Sequence, residues 1–155
     1  MTDPITKKLQ ELGVTLPDAP APAANYVPYV IAGNLIFISG QVPLVDGKIT
    51  LTGTVGDDVT LDQAKEQARI CAINILAQAK AACGGDLSKL KRAVKLGGFV
   101  ACTNDFTSQP EVINGASDLL AEVMGEAGNH ARFAVGTNAL PRGVCVEIDA
   151  VFELK

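Results

Sequence analysis

The feature that most limits the fold of this chain is a clean two-residue alternation close to its C-terminus. Over 144–153, Val144, Val146, Ile148, Ala150 and Phe152 point one way, and Cys145, Glu147, Asp149, Val151 and Glu153 point the other. A period of two is the mark of a β-strand with unlike faces, one for a core and one for something more polar. Other strands are legible ahead of it. YVPYVIA and LIFISG flank Gly33-Asn34, a two-residue turn suited to a primed hairpin, and Asp46-Gly47 joins VPLV to KITL in the same manner. Residues 92–102 read as a strand weakened by Gly97 and Gly98. A strand over 131–140 is joined to 144–153 through Pro141-Arg142-Gly143.

Three helices separate these strands. Asp3-Pro4 starts a short one with Ile5, Leu9 and Leu12 on a single face, and Gly13 stops it. LPDAPAPAAN then reads as an extended linker lying on the domain. Thr60 and Gln63 have the form of a capping box. They open a long helix whose stripe (Leu61, Ala64, Ala68, Cys71, Ile75, Ala79, Ala82) is mostly of small residues, which let a helix lie close on a sheet; Gly84-Gly85 ends it. Ser108 and Glu111 have the same form, with Pro110 in the first turn. Val112, Ile113, Ala116, Leu119, Leu120, Val123 and Met124 face inward on this helix, and Gly128 closes it. Repeats and low-complexity segments are absent from the sequence.

This order predicts an α+β sandwich: a mixed sheet with two long helices on one face, plus an N-terminal helix. The length of 155 residues suits one domain, expected to divide into a helix and Pro/Ala-rich linker over 1–25 and a main domain over 26–155. The second sheet face is expected to carry Arg132, Ala134, Gly136, Glu147 and Asp149. These are too small and too charged for a private core. Yet the chain is 48% hydrophobic and only 19% charged, with a mean hydropathy of +0.24, too apolar for a fully wet face. Packing that face against sister subunits resolves the conflict and puts functional sites at subunit boundaries.

Composition removes several function classes. The net charge of −4 and pI near 4.9 weigh against a general nucleic-acid binder. No apolar run approaches a membrane span, and MTDPITKKLQELG has no apolar core of a secretory signal, so a cytoplasmic location is expected. Cys71, Cys83, Cys102 and Cys145 are scattered with no CxxC, which disfavours zinc and leaves ordinary thiols. A single His makes a Ser-His or Cys-His nucleophile a poor expectation. Catalysis must then come from carboxylates, arginine, tyrosine, backbone groups and water, with no need for a metal or an organic cofactor.

Arg132 leads the candidates. On an inner strand among Ala and Gly its guanidinium is costly unless an anion meets it, and it can grip a planar carboxylate with two hydrogen bonds. The alternative, which spacing alone favours, is a structural ion pair with Glu147 or Asp149 across adjacent strands. Glu147 could hold a water near that arginine, or form a salt bridge between subunits. Ser39-Gly40-Gln41 either offers backbone groups to a ligand or is an ordinary turn. Tyr26 and Asn114 are unremarkable alone, His130 receives no role, and the basic cluster Lys89, Lys91, Arg92 and Lys95 reads as a solvated strand edge.

Taken together, GNLIFISGQVPL, NDFTSQPEVINGASDLLAEV and HARFAVGTNALPRGVCVEIDAV resemble the Rid (reactive-intermediate deaminase) family, also called the YjgF family, from about Tyr26 to the C-terminus. The N-terminal helix and linker are similar to its longer subgroup, labelled endoribonuclease or L-PSP-like. The resemblance implies a chorismate-mutase-like fold and a homotrimer whose sheets form an inner barrel, with three clefts between subunits. In deaminating members these clefts hydrolyse 2-imino and 2-enamino acids to 2-keto acids and ammonia. By that likeness Arg132 grips the substrate carboxylate, Glu147 attends the attacking water, and Tyr26, Ser39, Gly40 and Asn114 line the cleft. Ala24-Asn25 replaces the Gly-Pro common before the tyrosine, and Ala134 replaces a cysteine common two residues after the arginine. A non-catalytic sensor of small carboxylates or keto acids is the alternative. An endoribonuclease is opposed by the acidic pI and the lack of paired histidines.

Overall fold

The computed structural model describes residues 2–22 and 24–155; Ala23, within the expected linker, and Met1 lie outside the described residues. Helix α1 (Pro4–Glu11) is capped by Asp3, whose carboxylate accepts from the Thr6 N–H at 2.8 Å. It buries Ile5 and Leu9 in the same apolar cluster as the rest of the chain. Strands β1 (Tyr29–Ala32) and β2 (Leu35–Gln41) form the expected hairpin around Gly33. A second, two-rung hairpin of β3 (Leu44–Val45) and β4 (Lys48–Ile49) turns at Asp46-Gly47, both at positive φ as a type I′ turn requires.

Helix α2 (Leu61–Ala82) carries the complete capping box at Thr60 and Gln63. Its stripe of Ala64, Ala68, Cys71, Ile75 and Ala79 is buried, as the spacing requires. Strand β5 (Leu90–Ala101), helix α3 (Gln109–Met124) and strand β6 (Ala131–Thr137) form a parallel β-α-β unit, and strand β7 (Val146–Leu154) closes the chain. The sheet order is β1-β2-β7-β5-β6, mixed because only β5 and β6 run parallel. Both long helices cover one face, where Phe152, Ile148, Leu96, Ile36, Ile75 and Leu120 are fully enclosed. This is the α+β architecture anticipated from the sequence.

Five local expectations require correction. Strands β6 and β7 are not neighbours, since β5 lies between them. Parallel β5 and β6 need a helical crossover, and the long 138–145 connection then carries the chain past β5 to the sheet centre. Arg132 therefore sits on an edge strand, not an inner one. Arg132, Ala134 and Gly136 pair in register with Leu96, Gly98 and Val100, which are buried beneath the helices, so they lie on the helix-facing side. Glu147 and Asp149, opposite Phe99 and Gly97, lie on the bare side. Finally, Ser108 makes no side-chain cap, because its ψ of 34° departs from the extended backbone of a capping residue. Gly125, not Gly128, ends α3, with a φ of 61°.

The bare face is apolar as well as acidic. Val30 is 52% exposed, Phe37 46%, Phe99 39% and Val135 42%, and Phe99 stacks edge-on against Phe133 with centroids 5.3 Å apart. Contiguous apolar exposure of this kind is unusual for a surface left to water. Beneath the helices, α2 and α3 cross so closely that a Cβ at Gly115 would collide with the Lys65 carbonyl oxygen. Overpacking of this kind costs about 1–3 kcal/mol. Gly115→Ala is therefore expected to lower the melting temperature by several degrees, measured by differential scanning calorimetry; an unchanged melting temperature would contradict the close crossing.

Candidate active site

One cavity of about 310 Å³ opens at the bare end of the β2–β7 pair and brings together Tyr26, Ser39, Gly40 and Glu147. The β2 ladder places the serine and glycine there. Ile38 pairs with Ala150 and Gln41 with Ile148, and the register shift between them takes Ser39 and Gly40 out of step with β7. Such a bulge re-aims backbone and side chains toward a site. The Gln41 side-chain amide holds the bulge from within, donating to the Ser39 carbonyl at 3.2 Å and to the Ser39 hydroxyl at 3.4 Å. A Cβ at position 40 would meet the carboxylate end of the Glu147 side chain, so a larger residue there would displace that carboxylate from the glycine backbone.

Buried amides on α2 hold the walls. Asn74 donates to the Val42 and Leu44 carbonyls, both at 3.1 Å, and fixes the loop that follows β2. One turn on, Gln78 donates to the Pro20 carbonyl at 2.6 Å and ties down the N-terminal segment whose Pro20, Pro22 and Pro28 line the same cavity. Arg142, in the left-handed region at a φ of 59°, brings a cation to the rim. The sequence reading missed these three. Asn74 and Gln78 were discoverable as polar residues four apart within a small-residue stripe.

Burial raises the Glu147 carboxyl above the ordinary glutamate range, and the neighbouring Asp149 carboxylate raises it further. A carboxylate pushed toward neutral pH is suited to exchange a proton with water. Thiol chemistry is disfavoured nearby: burial pushes Cys145 up to about 11, and burial likewise raises Cys71.

Arg132 and Asn114 are elsewhere. They line a second recess, at the far edge of the sheet, with Ser117, Asp118 and His130. Arg132 donates through one terminal nitrogen to the Ser117 hydroxyl at 3.0 Å and through the other to the Pro110 carbonyl at 3.1 Å. Among the described residues no carboxylate lies within salt-bridge distance of it; the ion pairs there are Lys8–Glu11 and Lys91–Glu153. The expected alternative of a pair with Glu147 or Asp149 is thus ruled out within one chain, because those groups lie on the other face of the sheet. The basic cluster is solvated, since Lys91, Arg92 and Lys95 are exposed, but it does not mark a sheet edge, because β5 lies between β7 and β6. Among the described residues no three His, Cys, Asp or Glu gather as a metal site, and no helix is long and apolar enough to cross a membrane.

Residues 6–151 match the family described as "YjgF/chorismate mutase-like, putative endoribonuclease". The chain belongs to the YjgF (Rid) family. Protein TCP17 of Trypanosoma cruzi is 47% identical to it over 151 residues, 97% of this chain and 94% of that protein. The crystal structure of Atu1372 from Agrobacterium tumefaciens, described as of unknown function, superposes with a TM-score of 0.92 at 55% identity, covering 97% of this chain and 92% of that one. E. coli TdcF, solved with bound serine, superposes at 0.61 with 26% identity, covering 88% and 94%. The YjgF-type fold is therefore shared along nearly the whole chain.

The raised Glu147 carboxyl has a thermodynamic sign. The folded state binds its proton more tightly than the unfolded chain does, so stability falls as pH rises from the unfolded pKa through the folded one. Glu147→Gln is expected to melt higher than the natural protein near pH 7, with the difference shrinking below the ordinary glutamate pKa of about 4.3. A thermal-melt series against pH checks this; a variant less stable at neutral pH would contradict it.

Proposed function

We propose that this protein hydrolyses reactive 2-imino and 2-enamino acids to 2-keto acids and ammonia, in clefts formed between copies of the chain. What carries the proposal is the division of the candidate groups. Glu147, Ser39, Gly40 and Tyr26 occupy one recess, while Arg132, with no carboxylate partner among the described residues, occupies another with Asn114. The apolar bare face supports association through the sheets, in which edge strand β6 of one copy meets the β1–β2 end of the next. A homotrimer with sheets closed into a barrel is the assembly this reading adopts, and it brings the two recesses into one cleft three times over.

In that cleft the substrate carboxylate is held by the guanidinium of Arg132. A water oriented by Glu147 and by backbone groups at Gly40 adds to the imine carbon, and the imine nitrogen takes up a proton. Transfer of the hydroxyl proton then lets the tetrahedral carbinolamine collapse to the C=O bond and expel ammonia. An imine is already electrophilic, so positioning and modest polarisation suffice without a strong nucleophile. Proximity of a raised carboxylate to the Gly40 backbone supports the water's placement.

The serine bound to TdcF favours a second reading, in which the same cleft binds a stable small amino or keto acid and produces nothing. Ammonia release from freshly generated 2-iminopropanoate separates the two: acceleration over buffer supports the hydrolase, and saturable binding without it supports the sensor. RNA cleavage is opposed by the pI near 4.9 and by a basic cluster on β5 outside the residues that line the Glu147 cavity. Arg132→Ala is expected to lower kcat/KM for 2-iminopropanoate at least a hundredfold while leaving the assembly intact by light scattering, since an arginine–carboxylate contact is among the stronger charge-assisted pairs. Retained activity in Arg132→Ala with loss in Arg142→Ala would transfer the anchoring role to the rim arginine.

A further inference from the structure

The sequence assigns no role to Ser117 or His130, yet the structure binds both to the arginine on which the proposed function depends. Ser117, on α3, lies 3.0 Å from an Arg132 terminal nitrogen and 2.9 Å from His130 Nε2. His130 Nδ1 lies 2.6 Å from the Gly128 carbonyl oxygen. For a neutral imidazole the direction of every bond follows from the partners. A carbonyl only accepts, so Nδ1 carries the hydrogen, and in neutral imidazole Nε2 is then the acceptor. Guanidinium only donates, so the Ser117 oxygen accepts from Arg132 and spends its own hydrogen on His130. The bonds form a one-way donor chain from Arg132 through Ser117 and His130 to the Gly128 carbonyl. Bonds aligned head to tail polarise one another and strengthen together.

The far end of this chain is buried and closely packed. Gly128 is buried, and a Cβ on it would collide with the Leu120 carbonyl oxygen of α3. The near end is free where a ligand needs it. Each terminal nitrogen of Arg132 spends a hydrogen on Ser117 or Pro110 and keeps another, and Nε–H has no partner among the described residues. The Ser117 hydroxyl on one side and the Pro110 carbonyl on the other thus set the plane of the guanidinium while leaving donors free for a ligand.

We infer that Ser117 and His130 are positioning residues, which fix the plane of the Arg132 guanidinium for bidentate capture of the substrate carboxylate. This inference rests on Arg132 being the carboxylate anchor. His130 acts only through Ser117, and Ser117 acts only through Arg132, so neither touches the reacting atoms. Carboxylate binding is made equally in ground and transition states, and its loss appears in KM rather than kcat.

The test uses the full-length protein with 2-iminopropanoate generated in situ, and in parallel calorimetric binding of 2-oxobutanoate. Ser117→Ala is expected to raise KM about tenfold with kcat within about twofold, the size expected for one hydrogen bond to a charged group. Ser117→Thr, which keeps the hydroxyl, restores KM. His130→Phe raises KM in the wild-type background but adds nothing to Ser117→Ala, because its effect passes through the serine. A Ser117→Ala protein with unaltered KM, a Ser117→Thr protein as weak as the alanine variant, or additive effects of the pair would overturn the inference. The binding arm distinguishes the two levels. If Arg132→Ala binds 2-oxobutanoate as tightly as the natural protein, the anchor itself is wrong. If Arg132→Ala weakens binding and Ser117→Ala does not, only the positioning chain fails.

Discussion

A sheet with helices on one face alone must find cover for the other. That requirement governs this molecule. The helix-facing side is a dry core of Phe152, Ile148, Leu96 and the small-residue stripe of α2. The opposite side presents Val30, Phe37, Phe99 and Val135 beside Glu147 and Asp149. Covering the apolar part with another copy removes that surface from water, which is the dominant favourable term in association. It also partly desolvates the carboxylates, and a cleft that holds a raised glutamate follows from the same geometry. In the proposed assembly, packing and chemistry have one origin.

Opposed placement of Arg132 and Glu147 gives that assembly its purpose. Had both stood on one face of adjacent strands, the arginine would be neutralised by the chain's own acids. Instead β5 separates their strands, and the edge position of β6 leaves the guanidinium held only by a hydroxyl and a carbonyl. Neutral partners orient it without cancelling its charge. The bulge at Ser39-Gly40 does the complementary work on the other side, as it brings backbone up to a carboxylate that a larger residue at position 40 would push aside.

Much of this was legible in the sequence, for identifiable reasons. The alternation of 144–153, the Asp46-Gly47 turn and the Thr60–Gln63 box are local signals, and each element formed where its own residues directed. Membership of the family was legible in the motifs around Ser39, Asn114 and Arg132. What failed depended on pairing across the chain. The neighbour of β6 is set by the α3 crossover, not by the short Pro141-Arg142-Gly143 turn, and that one error put Arg132 on the wrong face. Ser108 has the capping letters without the capping backbone. Asn74, Gln78, Ser117 and His130 carry no motif, because their roles arise only when α2 and α3 settle against loops far away in sequence.

The central claim is that a working cleft needs Arg132 from one copy and Glu147 from another, and coexpression tests it most directly. Arg132→Ala and Glu147→Gln chains, each inactive alone, would be produced together with distinguishable tags and the mixed oligomers purified. In a closed ring of three with head-to-tail contacts, every mixed trimer contains one cleft in three with both natural residues, so the purified mixed trimers return about a third of natural activity. Mixed oligomers as inactive as either parent would place both residues in a cleft of the same chain and contradict the account.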